Sequence, residues 1–157
     1  KRQVLIISSL ISFSFVGKNT PTEGLTIGDK APTFTICGEK QLIDLKDLRG
    51  KYVLLSFWAS YDALSRMQNA TLNHAVAQAN NVEMVSVSFD EYKSIFNETI
   101  KKDQISTSNC FVELAGVSPD LYQTYRLKRG FKNFLLDENG VIVAKDVTVS
   151  ELSSYLN

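Results

Sequence analysis

The alternation of apolar and polar residues along the chain predicts strands and helices in turn. Residues 34–37 and 41–45 are short extended runs on either side of a glycine-containing turn, which predicts a β-hairpin. Residues 52–58 form a nearly continuous apolar run, as is typical of a strand buried on both faces of a sheet. Apolar side chains recur at helical spacing over residues 62–79, so we expect a helix to follow that strand.

The second half of the chain continues this alternation. Residues 82–89 predict a strand, and Ser88 with Glu91 has the spacing of a capping box for a helix that ends near Lys102. The remaining predicted elements are an extended segment near residues 110–112, a helix opened by Ser118-Pro119 that ends near Tyr125, a hairpin of residues 131–136 and 141–145, and a last helix capped by Thr148 with Glu151. This order predicts an α/β fold, in which a mixed sheet carries helices on both faces.

The N-terminus differs from the rest of the chain. Lys1 and Arg2 precede an apolar run over residues 4–16, and these are the proportions of a secretory signal peptide. The run is shorter than the roughly 20 residues that a membrane span needs. We therefore expect residues 1–17 to be a signal peptide, residues 18–31 a polar linker and residues 32–157 the folded domain. An internal strand or core helix and an uncleaved membrane anchor are the alternatives for the first segment.

The charges of the chain exclude one class of partner. Lys plus Arg and Asp plus Glu number 17 each. The first twenty residues hold three of the basic residues and no acid, so residues 21–157 carry 14 basic and 17 acidic groups. A mildly acidic domain is a poor ligand for phosphate backbones, so we expect no nucleic-acid partner.

The cysteines and the histidine give no metal site and no catalytic triad. Cys37 and Cys110 lie far apart and have no metal-ligand spacing, so we expect no metal and no cofactor. Ser65 and the single histidine, His74, are nine residues apart, which places them on opposite sides of a helix. We expect His74 to be a solvated helix residue. Three interpretations of the thiols remain open: unrelated free thiols, a structural disulfide, or a reactive redox thiol.

Three sequence motifs carry a resemblance to a known family. The segment G-D-K-A-P-T-F at residues 28–34 resembles the G-x-x-A-P-x-F motif that opens redoxin domains. Residues 45–60 resemble the run L-x-x-L-K-G-K-x-V-L-L-N-F-W-A-S, and residues 133–142 resemble the hairpin T-N-F-L-I-D-x-x-G-x-I. Together they resemble the TlpA/ResA-type thiol–disulfide oxidoreductases of the thioredoxin superfamily. This resemblance, over about residues 25–157, implies a thioredoxin-like mixed sheet with an N-terminal β-hairpin.

The chain departs from this family where the chemistry should lie. In the family, F-W-A-S is followed by W-C-x-x-C-R, and here Asp62 and Ser65 stand in the two cysteine positions. Phe131 stands in the position of the family's cis-proline, so we expect a trans bond between Gly130 and Phe131. Dithiol exchange needs one thiolate to attack and a second thiol to resolve the mixed disulfide. Asp62 is expected instead to cap the following helix.

The resemblance also implies a substrate groove beside these positions. The residues expected to line this groove are Trp58, Tyr61, Asp62, Gly130 and Phe131. Tyr61 and Phe131 either enlarge an apolar surface there or pack on each other and close the groove, and the sequence leaves both outcomes open.

Two functions follow from the resemblance and its departures. The first is an exported thioredoxin-like module of the periplasm or cell envelope that lacks the dithiol and binds a peptide or protein partner. In this interpretation the membrane is contacted only through an uncleaved N-terminal segment. The second is a thiol-dependent reductase or peroxidase that uses Cys110 or Cys37 with an external thiol.

Overall fold

A computed structural model of the chain describes residues 20–38, 41–114 and 119–156. Its strands are β1 (Thr35–Cys37), β2 (Leu42–Asp44), β3 (Tyr52–Trp58), β4 (Val82–Ser88), β5 (Cys110–Val112), β6 (Asn133–Leu136) and β7 (Ile142–Lys145). Its helices are α1 (Ala63–Val76), α2 (Lys93–Lys102), α3 (Pro119–Thr124) and α4 (Val149–Leu156), with 3-10 turns at Leu45–Leu48 and Leu127–Arg129.

The strands form a mixed five-stranded sheet and a separate hairpin. The sheet has the order β5-β4-β3-β6-β7, and β1 pairs only with β2. Strands β3, β4 and β5 are parallel to one another, whereas β6 is antiparallel to β3 and to β7. The expected α/β fold, with its mixed sheet and N-terminal hairpin, is confirmed.

Strand β3 is buried on both faces because helices cover both sides of the sheet. Val53, Leu55 and Phe57 belong to a core that includes side chains of α3 and of the hairpin. Leu54 packs on the opposite face, in a core with side chains of α1 and α4. Successive side chains of a strand point to opposite faces, so a strand between two cores reads as a continuous apolar run.

One of the two expected capping boxes is present. The Thr148 N–H donates to Glu151 Oε2 over 2.8 Å, and the Glu151 N–H donates to Thr148 Oγ1 over 3.3 Å, as predicted for α4. The capping box of Ser88 with Glu91 was wrong. Ser88 is the fully buried last residue of β4, and α2 begins only at Lys93, after Tyr92, which makes no side-chain cap.

Residues 20–31 are attached to the sheet, although their polar composition predicted a linker. The N–H of Gly28 donates to the carbonyl of Ile142 over 2.9 Å, and that of Ala31 donates to the carbonyl of Gly140 over 3.0 Å. Lys30 forms an isolated bridge with Val141. The contacts of the domain therefore begin before residue 32.

The expected signal peptide, residues 1–17, lies outside the described residues and stays a prediction. Within the described part of the chain, no helix combines the length and the apolar character that crossing a membrane requires.

Candidate functional site

The start of α1 holds the two residues that the sequence resemblance places in the cysteine positions. Asp62 is the N-cap in an extended conformation, and its carboxylate accepts a hydrogen bond from the Ser65 N–H over 3.3 Å. The Ser65 hydroxyl donates to the backbone carbonyl of Asp62 over 3.2 Å, and Ser65 is buried. The expected cap is confirmed. The two side chains are engaged with each other's backbone in the first turn of the helix.

A buried carboxylate that the sequence reasoning missed fixes the loop before α1. Asp90 is 1% exposed and accepts hydrogen bonds from the Ser60 N–H (2.9 Å), the Ser60 hydroxyl (2.5 Å) and the Ser88 hydroxyl (2.7 Å). Parallel neighbours β3 and β4 end at the same edge of the sheet, which brings Ser60 and Asp90 together. Functional loops of parallel sheets lie at the carboxyl ends of the strands. The polar residues that follow both β3 and β4 were therefore the signal that could have predicted this contact.

An aromatic surface lies beside this loop. Tyr61 is 73% exposed, and its ring meets that of Phe131 edge-on with centroids 6.2 Å apart. Phe131 in turn stacks on Phe89 at 5.9 Å, and Phe89 contacts Tyr122 at 5.5 Å. The sequence left open whether Tyr61 and Phe131 enlarge an apolar surface or pack on each other, and each outcome holds in part. The rings of Tyr61 and Phe131 pack on each other, yet Tyr61 still presents most of its side chain to solvent.

The loop that carries Phe131 has the expected trans geometry. No peptide bond among the described residues is cis, and this includes the Gly130–Phe131 bond. Gly130 has a φ of 115°, a value that residues other than glycine rarely adopt. The loop is tied to β3, because the Phe57 N–H donates to the Lys132 carbonyl over 3.0 Å.

Trp58 does not line the groove, contrary to expectation. Its side chain is fully buried, and its ring lies 6.2 Å from that of Phe96 on α2. The indole Nε1–H donates to Ser86 Oγ over 2.8 Å, and the Ser86 hydroxyl donates to Asn69 Oδ1 over 2.8 Å. The two-residue period of β3 places the Trp58 side chain under the helices, so it supports α1 from below.

The two thiols lie away from the start of α1. Cys37 is exposed on β1, Cys110 is half-buried on β5, and both are free, so the structure contains no disulfide between them. Burial raises the pKa of Cys110 to about 11, although its hydrogen bond to the Ser86 hydroxyl opposes the shift. A thiol with this pKa is protonated at neutral pH and is a weak nucleophile.

An ion pair holds the first turn of α1 against the end of α2. Arg66 donates to Asp103 through Nε and Nη2, over 2.7 and 2.6 Å. These hydrogen bonds lower the pKa of Asp103 and raise that of Arg66. His74 is exposed, with Nε2 lying 3.1 Å from the Asp103 carbonyl oxygen. No group of three histidine, cysteine or acidic side chains in the described ranges could hold a metal ion.

Comparisons with known proteins agree with this fold. The model of the AhpC/TSA family matches residues 27–145. The thiol-disulfide oxidoreductase ResA of Bacillus cereus is 26% identical over 160 residues, which cover 98% of this chain and 90% of that protein. A thioredoxin-like protein from Parabacteroides distasonis superimposes with a TM-score of 0.76 and is 40% identical, covering 87% of this chain and 98% of the other. A thiol-disulfide oxidoreductase from Bacteroides fragilis has a TM-score of 0.67 and 28% identity, covering 82% of this chain and 97% of its own.

Proposed function

This chain belongs to the AhpC/TSA family of thioredoxin-fold proteins, and from that premise we propose that it is a member without dithiol activity that binds a peptide or protein in the cell envelope. The chain is similar to proteins named thiol-disulfide oxidoreductases. The residues at the start of α1 are the reason why we propose that this chain does not carry out that chemistry.

The observation that carries the proposal is that Asp62 and Ser65, which the resemblance places in the two cysteine positions, lie at the start of α1. In disulfide exchange, a thiolate attacks one sulfur of the substrate and expels the other, and a second thiol then resolves the mixed disulfide. Asp62 and Ser65 offer oxygen in both positions, and each is already held by a hydrogen bond in the first turn. The positive end of the helix, which would stabilise a thiolate, is here occupied by a carboxylate.

The aromatic surface supports a binding function. Tyr61 projects into solvent beside Phe131, and Asp90 holds the preceding residue, Ser60, in place. Aromatic side chains are enriched at the buried centres of protein interfaces, where a rigid ring contributes area at little entropic cost. A partner that covers Tyr61 would bind to a loop whose conformation is already fixed by the hydrogen bonds to Asp90.

The chemistry of the thiols weighs against the alternative, a thiol-dependent reductase or peroxidase. Cys110 is held in its protonated form by burial, with a pKa of about 11. Cys37 lies on a hairpin strand and not in the first turn of a helix.

Export of the protein rests on the N-terminal pattern. Lys1, Arg2 and the apolar run predict cleavage, so the mature protein should begin near residues 17–24. N-terminal sequencing of the protein from fractionated cells tests this, and residues 1–16 still attached to protein from the soluble cytoplasm would refute it.

The experiment on binding uses a tyrosine elsewhere as its control. Random linear peptides are selected by display on the purified chain, and their affinities are measured for Tyr61→Ala and Phe131→Ala. Truncating an interface aromatic should weaken binding by about tenfold or more. Tyr92, 60% exposed at the start of α2, is the matched control, and Tyr92→Ala should leave the affinity within about twofold. Peptides that bind Tyr61→Ala as well as wild type would contradict the proposed surface.

A further inference from the structure

A cavity lies away from the aromatic surface, along the open edge of the sheet. It has a volume of about 850 Å³ and is bordered by α2, by β5 and by the hairpin residues Cys37, Gly38 and Gln41. Its volume falls within the range of about 300–1,000 Å³ that is usual for binding sites. None of the residues of the aromatic surface borders it.

The lining shows that this cavity wraps around the sheet edge. Cys110, Phe111 and Val112 all border it, although successive side chains of a strand point to opposite faces. Cys110 and Val112 pack with Trp58 and α2, whereas Phe111 packs in the core that includes the hairpin. Strand β5 is the last strand of the sheet on this side. The cavity is therefore a cleft with β5 as its floor, α2 as one wall and the hairpin as the other. We refer to it as the edge cleft.

The backbone of β5 offers hydrogen-bonding groups to the edge cleft. The carbonyl of Asn109 accepts from the Ser86 N–H over 3.0 Å, and the Glu113 N–H donates to the Ser88 carbonyl over 2.8 Å, so these alternate residues face β4. By the two-residue period of a strand, the N–H and C=O of Val112 point the other way, into the cleft. Such an edge is a template for an added strand.

The charge of the residues that line the edge cleft indicates which kind of peptide strand could bind there. Among the described residues, the lining contains two lysines, Lys93 and Lys101, and no aspartate or glutamate. These lysines and Asn97 share one side of α2 because they are spaced by four residues. The other lining residues of that helix, Phe96 and Ile100, are apolar and mostly buried. The cleft thus combines an apolar surface with positive charge, which complements a ligand that has apolar and acidic groups.

We propose that the edge cleft binds an extended peptide segment with alternating acidic and apolar residues, which adds as a sixth strand beside β5. Its backbone pairs with Val112, its acidic side chains approach Lys101 on the α2 side, and its apolar side chains pack on the opposite face, against the hairpin. This site is separate from the aromatic surface, and the proposal stands or falls independently of the function proposed above.

The test uses capped nine-residue peptides in which glutamate alternates with valine, and counterparts in which lysine replaces glutamate. Titration into the isotope-labelled chain should slow hydrogen exchange at the Val112 amide. The same titration should slow the alkylation of Cys37, which is exposed at the cleft wall, by a bulky maleimide. The lysine peptides should bind at least about tenfold more weakly, because attraction to the cleft becomes repulsion.

Variants of one helix separate the cleft from general surface charge. Lys101→Glu should weaken the acidic peptides by about tenfold, whereas Lys102→Glu, an exposed neighbour that does not line the cavity, should change binding by less than about twofold. Tyr61→Ala should leave this binding unchanged, which distinguishes the edge cleft from the aromatic surface.

Three results would overturn the proposal. The first is equal binding of the acidic and lysine peptides, or no binding of either. The second is binding of the acidic peptides without protection of the Val112 amide, which would indicate a surface contact other than strand addition. The third is protection of that amide that rises with protein concentration in the absence of peptide, which would show that a second copy of the chain occupies the edge.

Discussion

Replacing Asp90 by alanine should destabilise the protein and loosen the loop that carries Tyr61. The carboxylate accepts hydrogen bonds from the Ser60 N–H, the Ser60 hydroxyl and the Ser88 hydroxyl in a site that is 1% exposed. Hydrogen bonds to a charged group contribute about 1.5–3 kcal/mol each. Their sum overstates the loss, because burial of the carboxylate itself costs several kcal/mol and the hydroxyls can rotate toward other acceptors. The Ser60 N–H cannot rotate away, so we expect a net loss of about 2–4 kcal/mol in the free energy of unfolding.

Urea unfolding measures this loss, and two variants bracket it. With a slope of about 2 kcal/mol per molar urea, the midpoint for Asp90→Ala should fall by about 1–2 M. Asp90→Asn retains one acceptor oxygen and should lose less than the alanine variant. Asp47→Ala removes an exposed aspartate and should stay within about 0.5 kcal/mol of wild type. Amide exchange at residues 60–62 should accelerate in Asp90→Ala alone. If that variant lost less than about 0.5 kcal/mol, the buried carboxylate would not be what anchors the loop.

Two further predictions concern the first turn of α1. The double variant Asp62→Cys with Ser65→Cys should form a disulfide but reduce protein substrates poorly, and adding Phe131→Pro should raise the rate of insulin reduction. A double variant that reduces insulin as fast as an ordinary thioredoxin-like reductase would show that only the two sulfur atoms matter. The hydrogen bonds from Arg66 lower the pKa of Asp103 in the folded protein below the usual aspartate value of 3.8. The pair therefore stabilises the fold fully above pH 3.8, and this stabilisation is lost as the pH falls through the lower pKa of the folded state. The difference in unfolding free energy between wild type and Arg66→Gln, about 1–2 kcal/mol at pH 7, should therefore shrink below pH 3.8, and a difference that is constant down to pH 2 would contradict this origin.

The elements that the sequence predicted correctly are those with strong local signals. The apolar run of β3 reflects burial on both faces. Asp62 and Thr148 cap their helices because their side chains accept hydrogen bonds from the N–H three residues further on. The start of α2 was missed because Ser88 is engaged with Asp90, two residues further on: its hydroxyl donates to the Asp90 carboxylate and accepts from the Asp90 N–H, so it is unavailable as a cap. Trp58 was misplaced because its sequence neighbours lie at the site, whereas the direction of its side chain follows the strand period.

The edge cleft could not be predicted from the sequence. Its walls and floor come from the hairpin, α2 and β5, which are distant along the chain. Lys101 and its neighbours on α2 have the polar pattern of an ordinary solvated helix face. Nothing local in such a pattern separates a cleft wall from a surface exposed to bulk water.

The claim that this fold has lost dithiol exchange is tested most directly by insulin reduction. The purified chain is incubated with insulin and dithiothreitol as the electron donor, and the precipitation of the reduced insulin chains is followed against a blank without protein. Because the resemblance places Asp62 and Ser65 where the family has its two cysteines, the rate should equal that of the blank. A rate above the blank that disappears in Cys37→Ala or Cys110→Ala would contradict the account, since it would show catalysis by a thiol outside the first turn of α1.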